Sequence, residues 1–475
     1  MQMSLTHGVF PNELKKARVI PIFKSGDKSE FSNYRPVSVL PLFSKILERL
    51  MYTRLLSFIN KHKLLYDFQF GFRPLHSPNL ALILLVDKIS GALERGEYAL
   101  GLFLDFSKAF DTVNHKILFQ KLEFYGIRGT ALGWFHSYLT GRTQYVEYNE
   151  TTSSNSNIIC GVPQGSILGP LLFLLYINDL SNASKIVFSI LFADDSNMFL
   201  TGKDPNALIR TMNTEMKHVV DWLRLNKLSL NLKKTHFVLF RKKQDRVCLS
   251  EDLLVDNVKI DRVDSTKFLG IFIDEHLSFQ KHINYIKGKV SRAIGILYKC
   301  RPVLNQNTLK MLYNTIIYPY FTYCIEVWGN TYSSYLEPLF KAQKRAIRII
   351  VGAKRFDHTA PLFKKLKLLN VTEIYVYFVL LFMFKYYRNV LPRVLDGLFT
   401  WNYAIHSHST RQRSLLHVPL IKTFPYVKTV RVTGVHLFNH ISKIFELNYS
   451  YETYKCHLKA YILKYNDISK IYNNN

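Results

Sequence analysis

Leu191-Phe192-Ala193-Asp194-Asp195-Ser196-Asn197-Met198-Phe199 sets two adjacent carboxylates between two short apolar runs. Val187 to Phe192 and Asn197 to Leu200 are rich in β-formers, and Ala-Asp-Asp-Ser between them has turn chemistry. The pattern predicts a hairpin with the acids at its tip, where they reach a substrate as a buried strand cannot. Two like charges this close repel by several kcal/mol at an intermediate dielectric unless something positive lies beside them, and divalent cations are the usual answer. An isolated Asp-Asp pair is most often a solvated acidic turn. The rest of the chain argues for more.

Working outward, Ala99 to Leu104 is almost unbroken apolar sequence, which predicts a strand covered on both faces that delivers Asp105 at its end. Lys116 to Phe124 and Gly133 to Leu139 read as short helices and Gln144 to Tyr148 as a strand. Gly161-Val162-Pro163-Gln164-Gly165-Ser166 is a tight turn that cannot be helical, and the apolar helix Leu171 to Leu180 follows. Beyond the acids, Ala207 to Leu225 sets Leu208, Met212, Met216 and Leu223 on one helical face, and His236 to Phe240 and Phe268 to Ile273 complete the strands. This order predicts an α+β domain whose antiparallel sheet is backed by helices. Upstream, Ala17 to Phe23 and Arg35 to Leu42 read as strands joined by a basic, glycine-containing loop. Helices follow at Ser44 to Ile59 and Leu80 to Leu93, the second with Asp87 and Lys88 on its wet face, and Gln69 to Pro74 is an aromatic turn between them.

At 475 residues, 48% of them hydrophobic and 14% aromatic, the chain has material for two to four cored domains. Its 63 Lys+Arg against 35 Asp+Glu leave +28, which on a folded chain points to a polyanionic partner, nucleic acid before anionic membrane. No membrane partner is expected, because the longest apolar run, Ile374 to Phe384, is too short to span a bilayer. No signal peptide is evident, and the five cysteines form no CxxC pair, which fits a reducing intracellular compartment. Past Asp274 the chain turns helical. Lys341, Lys344, Arg345 and Arg348 share one face of Tyr335 to Val351, with no acid expected among them, so this cationic stripe reads as a phosphate contact. His406 and His408 lie close together but read as loop residues, since a metal site needs further ligands at matching spacing.

If the Asp105 strand neighbours the acidic hairpin, three carboxylates converge. Three acids hold two divalent metals about 3.5–4 Å apart, one activating an attacking hydroxyl and the other stabilising the leaving oxygen of an in-line phosphoryl displacement. Polymerases and nucleases share that chemistry, and a polymerase adds cationic clamps for a triphosphate. Lys24 and Arg35, flanking a loop able to fold over the site, suit that task. Gly165 lets backbone approach a base pair closely. Asp111, a fourth acid, is expected to cap or pair locally.

Phe103-Leu104-Asp105-Phe106-Ser107-Lys108-Ala109-Phe110-Asp111, the Gly161 to Ser166 turn with Leu168-Gly169-Pro170, and Phe192-Ala193-Asp194-Asp195 resemble motifs A, B and C of reverse transcriptases. The variant resembles that of non-LTR (LINE-type) retrotransposons, close to the jockey group. Asn33 to Ser38, Gln69 to Arg73, Asn231 to Thr235 and Phe268 to Ile271 are similar to the fingers, motif D and primer-grip segments, so ordered blocks run roughly from Ala17 to Gly352. The resemblance implies a right-hand polymerase with fingers at 1–98, palm at 99–274, helical thumb at 275–352 and a basic helical C-terminal region at 353–475. It makes Asp105, Asp194 and Asp195 the metal triad for two Mg2+ ions, with Mn2+ as the alternative, and Phe110 the sugar gate. It makes Lys24 and Arg35 triphosphate contacts, Gln164 and Gly165 part of the nascent-pair pocket, and Lys234 a general acid toward pyrophosphate. The implied partners are an RNA template, a DNA primer or target, and dNTPs, with action in the nucleus. Complete elements of this type place an endonuclease before the polymerase, and nothing ahead of Ala17 is long enough for one, so target nicking is expected from another source. An inactive, domesticated RNA-binding remnant is the alternative. A metal-dependent nuclease would leave the Gln-Gly turn and the fingers-like blocks unexplained.

Overall fold

The computed structural model describes residues 2–405, 412–421 and 426–465. Its organising element is the strand Tyr98–Asp105, which lies at the centre of a five-stranded sheet. Asp195–Gly202 and then Phe188–Phe192 follow on one side, and His236–Phe240 and the short strand Asp261–Arg262 on the other. Successive side chains of a strand point to opposite faces. Here Leu100, Leu102 and Leu104 enter one hydrophobic core, while Ala99 and Phe103 enter another. The first core holds Leu47, Met51 and Leu55 of the helix Leu42–His62 together with the helices Gly169–Ile177 and Pro205–Leu225. The second holds the helices Pro78–Glu94, Gln280–Cys300 and Val371–Tyr387. This double cover is why the strand is an unbroken apolar run. Each fully buried leucine on it contributes about 1.5–3 kcal/mol of transfer free energy. It also locks the register: a one-residue slip would swap the two cores' side chains and part Asp105 from its cross-strand partner Asp195.

A second sheet lies at the amino-terminal side. Lys16–Phe23 pairs antiparallel with Tyr34–Val39 and parallel with Arg142–Tyr148, whose other edge carries Ser156–Ile158. The connecting loop is closed on itself: Lys24 N donates to Asn33 O (2.8 Å) and Asn33 Nδ2 to Asp27 O (2.9 Å).

Three expectations need correction. Phe268 to Ile273 is not one strand but a hairpin, Ser265–Phe268 against Ile271–Asp274, turned at Leu269 (φ 46°) and Gly270 (φ 85°). Two positive φ values in a two-residue loop are what a tight antiparallel hairpin requires, and Gly270 was the signal for it. Leu171 to Leu180 is helical only to Ile177 and continues as a 3-10 turn, Asn178–Asn182. Pro78–Glu94 is not amphipathic in the expected way: Leu80 through Val86 are all buried, and Asp87 is clamped by Arg431, whose Nε and Nη2 reach its two oxygens at 2.7 and 2.8 Å. Lys88 alone of the pair stays exposed, its ammonium 4.0 Å from the Phe188 ring centre.

Among the described residues no single helix is long and apolar enough to cross a membrane. Val371–Tyr387 is apolar all round because it is surrounded. The helices Val430–Ile441 and Tyr451–Lys464 pack on it, and Asn370 and Glu373 close a capping box at its start. These C-terminal helices share one core with Gln280–Cys300 and Ser333–Val351.

Candidate active site

Asp194 sits in the turn and Asp195 opens the returning strand, paired with Phe192 on one side and Asp105 on the other. The turn is strained: Ala193 adopts φ 56°, a region that costs a non-glycine residue. What holds it is the segment 68–71. Gln69 Oε1 accepts from Ala193 N (3.0 Å) and Gly71 N (2.9 Å), Phe70 N donates to Leu191 O (2.7 Å), and Leu191 N donates to Phe68 O (3.0 Å). Any Cβ at Gly71 would lie 2.5 Å from Ala193 N. Read from sequence as an aromatic turn, this segment is a strand-like brace for the acids. Its signals were the buried glutamine and the glycine, neither of which names a distant partner.

Asp105 is steadied through its backbone, Asn231 N donating to its carbonyl (2.7 Å). Lys234, from the same 231–235 turn, places Nζ 3.9 Å from Asp105 Oδ2. Partial burial raises the pKa of Asp194, and the charge of Asp105 adds to it, while Arg35 and Lys24 oppose. Asp195 is pushed up to about 6, first by partial burial and then by Asp194 and Asp105, with Lys24 opposing. Lys24 and Arg35 therefore lie within electrostatic reach of acids that are short of positive charge. Three carboxylates from two strands and a turn form a hard-oxygen donor set of the kind Mg2+ takes. Among the described residues no group of three or more His, Cys, Asp or Glu side chains is already disposed to hold a metal ion.

The Gln164 turn is clamped on several sides. Ser38 N, from the amino-terminal sheet, donates to Gln164 O (2.7 Å), and a Cβ at Gly165 (φ 119°) would lie 2.5 Å from Ser38 O. That glycine answers a close approach of protein backbone from the amino-terminal sheet. Glu48, with no exposed surface, accepts from Ile167 N (2.6 Å) and Ser44 Oγ (3.0 Å). Burial raises its pKa, and these hydrogen bonds oppose the rise. Asp111 does not pair locally as expected: its Oδ1 accepts from Gln164 Nε2 at 2.8 Å across 53 residues. No spacing rule links Glu48, Asp111 and Gln164, so sequence reasoning missed the clamp.

Residues 22–273 match the family model described as reverse transcriptase (RNA-dependent DNA polymerase), more than half of the chain. The chain belongs to that family. It is 31% identical over 372 residues to the RNA-directed DNA polymerase from mobile element jockey of Drosophila melanogaster, covering 76% of this chain and 40% of that protein. It is 30% identical over 372 residues to the probable RNA-directed DNA polymerase from transposon X-element of the same organism, covering 77% and 40%. The chain thus spans about two fifths of the length of these curated relatives. Among solved structures, apo telomerase from Candida tropicalis aligns with a TM-score of 0.42 at 13% identity, over 74% of this chain and 61% of that one.

In this member of the family Phe110 is half-buried, stacked on Phe173 (centroids 4.4 Å, planes 28° apart) with Phe72 edge-on at 6.3 Å. The stripe residues lie on the helix Ser333–Val351, and the expectation of no acid beside them fails: Glu337 reaches Lys341 Nζ at 3.5 Å. Arg348 Nε and Nη2 donate to Asp357 O (3.1 and 2.9 Å), and Lys344 Nζ lies 3.9 Å from the Phe340 ring centre. Arg345 is exposed. His406 and His408 lie outside the described residues.

Proposed function

We propose that this chain is the RNA-directed DNA polymerase part of a jockey-like non-LTR retrotransposon, extending a DNA 3′ hydroxyl with dNTPs on an RNA template. The observation that carries the reading is the register pairing of Asp105 with Asp195 beside Asp194, with Lys24 and Arg35 in electrostatic reach. Two Mg2+ ions, with Mn2+ as substitute, would be held by these three carboxylates, lowering the pKa of the attacking hydroxyl and stabilising the leaving oxygen. In the proposed division, fingers at 1–98 bring Lys24 and Arg35 to the triphosphate, where two cations offset the charge that the acids alone would repel. The palm at 99–274 supplies the triad, with Phe110 under the sugar and Gln164 and Gly165 beside the new pair. Lys234, its ammonium 3.9 Å from Asp105 Oδ2, stands on the acid side of the site and gives a proton to the departing pyrophosphate. The thumb at 275–352 grips the template-primer backbone through Lys341, Lys344, Arg345 and Arg348, and the helices Val371–Tyr387 and Val430–Ile441 share its core. A chromosomal primer places the reaction in the nucleus.

Primer extension tests this. The purified chain is given a DNA primer on an RNA template with Mg2+ and all four dNTPs. Template-length DNA is the expected product. Cleavage of the strands without extension would favour the nuclease, and tight RNA binding with neither reaction the inactive remnant.

A further inference from the structure

The clamp on the Gln164 turn decides which end of the Gln164 amide is free. An ionised carboxylate only accepts hydrogen bonds, whereas a carboxamide donates at nitrogen and accepts at oxygen. Asp111 Oδ1 takes Gln164 Nε2 at 2.8 Å, so Oε1 is the atom of the amide that Asp111 does not engage. The backbones on both sides are fixed. Gly161 N donates to Val113 O (2.8 Å) and Val162 N to Phe110 O (2.9 Å), so 110–113 and 161–162 run side by side. A Cβ at Gly161 would lie 2.7 Å from Asp111 O. Gln164 O is held by Ser38 N and the following Ile167 N by Glu48, which leaves the side-chain torsions of Gln164 as the main freedom, and Asp111 removes it.

We infer that Asp111 is a positioning residue that makes Gln164 present a hydrogen-bond acceptor, Oε1, to a donor group of the incoming nucleotide. The inference rests on Gln164 lining the nucleotide pocket. An incoming dATP has two donors of the right kind, the sugar hydroxyl and the exocyclic amine of the base, and analogues lacking one or the other tell which of them meets Oε1. Phe110, proposed to face the sugar, is the chain neighbour of Asp111 and shares a hydrogen bond with Val162 in the same turn. Asp111 thereby joins the sugar-facing residue and Gln164 in one rigid unit. A carboxylate at 111 is required for this, since a neutral amide there could offer nitrogen or oxygen and would let Gln164 flip.

The test is single-nucleotide incorporation by the full chain on a primed RNA template, with dATP, ddATP lacking the sugar hydroxyl, and the deoxypurine triphosphate lacking the exocyclic amine. For Asp111→Asn, KM for dATP should rise about tenfold, as expected for one lost charge-assisted hydrogen bond, with kcat changed much less. Wild-type preference for dATP over whichever analogue lacks the donor should shrink by the same factor. The swapped pair Asp111→Asn/Gln164→Glu should restore both, because the amide introduced at position 111 then donates to a carboxylate whose other oxygen still accepts. A purely packing role for Asp111 would not respond to the swap. Wild-type KM and discrimination in Asp111→Asn, alongside altered values in Gln164→Leu, would overturn the positioning role while leaving Gln164 in the pocket. Unchanged KM and discrimination in an active Gln164→Leu would remove Gln164 from the pocket and the inference with it. If the wild-type chain does not extend at all, the polymerase reading fails first.

Discussion

The acidic turn at Asp194 and Asp195 and the basic helix Ser333–Val351 both gather like charges, but in opposite ways. The acids come from residues about 90 positions apart and are brought together by strand register, so each worsens the others' electrostatics: Asp105 and Asp194 both help push Asp195 up to about 6. The basic residues come from one helix, at local spacing, and most have found partners: Glu337 for Lys341, the Phe340 ring for Lys344, the Asp357 carbonyl for Arg348. The first arrangement is unfavourable until something positive arrives, as expected of a site built for a cation-bearing substrate. The second is stable as it stands and has attraction to spare for a polyanion. Concentrated, desolvated charge marks chemistry, and dispersed, solvated charge marks grip.

That contrast is broken most decisively at Asp194. Asp194→Asn should slow primer extension by about three orders of magnitude or more, since bound metals supply several kcal/mol of transition-state stabilisation, while RNA binding measured by filter retention stays near wild type. Wild-type-like extension by this variant would end the polymerase assignment. A smaller effect is expected at the proposed sugar gate. With its ring stacked on Phe173, Phe110 is held on one face, and Phe110→Val should raise rNTP over dNTP incorporation about tenfold on the same primed RNA. Equal loss with both sugars would make it a packing residue.

On the basic side, Lys344→Ala with Arg345→Ala should flatten the log–log salt dependence of template-primer binding by about one to two units, with little change in Tm. An unchanged slope would mean that the helix is an ordinary solvated surface. The subtlest test sharpens the claim that the acids are unfavourable alone. Because the folded-state pKa of Asp195 (about 6) lies above its ordinary value of 3.8, its ionisation costs the fold stability. That cost is absent below about pH 3.8, grows as pH rises through 6, and is complete above it. In divalent-free buffer at about pH 7.5, thermal melting should therefore show Asp195→Asn slightly more stable than wild type, and at about pH 4 no more stable. A destabilised variant at the higher pH would mean that the carboxylate holds the turn together.

How legible each part was follows from the range of the interaction behind it. Helices Leu42–His62 and Pro205–Leu225 were readable because a 3.6-residue repeat is a local property, and the strand Tyr98–Asp105 because burial on both faces leaves an unbroken apolar run. The acidic hairpin was readable because turn chemistry and flanking β-formers sit within a dozen residues. Asp87 was misread because a charge in an apolar helix looks the same whether it meets water or Arg431, 344 residues away. Gly270 was overlooked because strand propensity on both sides masked the turn between.

The residues by themselves determined which groups exist to do chemistry, where the strand that carries Asp105 must be buried, and how an amphipathic helix such as Pro205–Leu225 presents its face, because those depend on composition and short-range periodicity. Only the tertiary structure decided that Asp105 stands opposite Asp195, that Gln69 braces Ala193, and that Asp111 and Glu48 hold the Gln164 turn. Each of those is a single hydrogen bond or register choice between distant segments. Such contacts become favourable only after two packed cores have brought the segments together, and they leave no periodic trace along the chain.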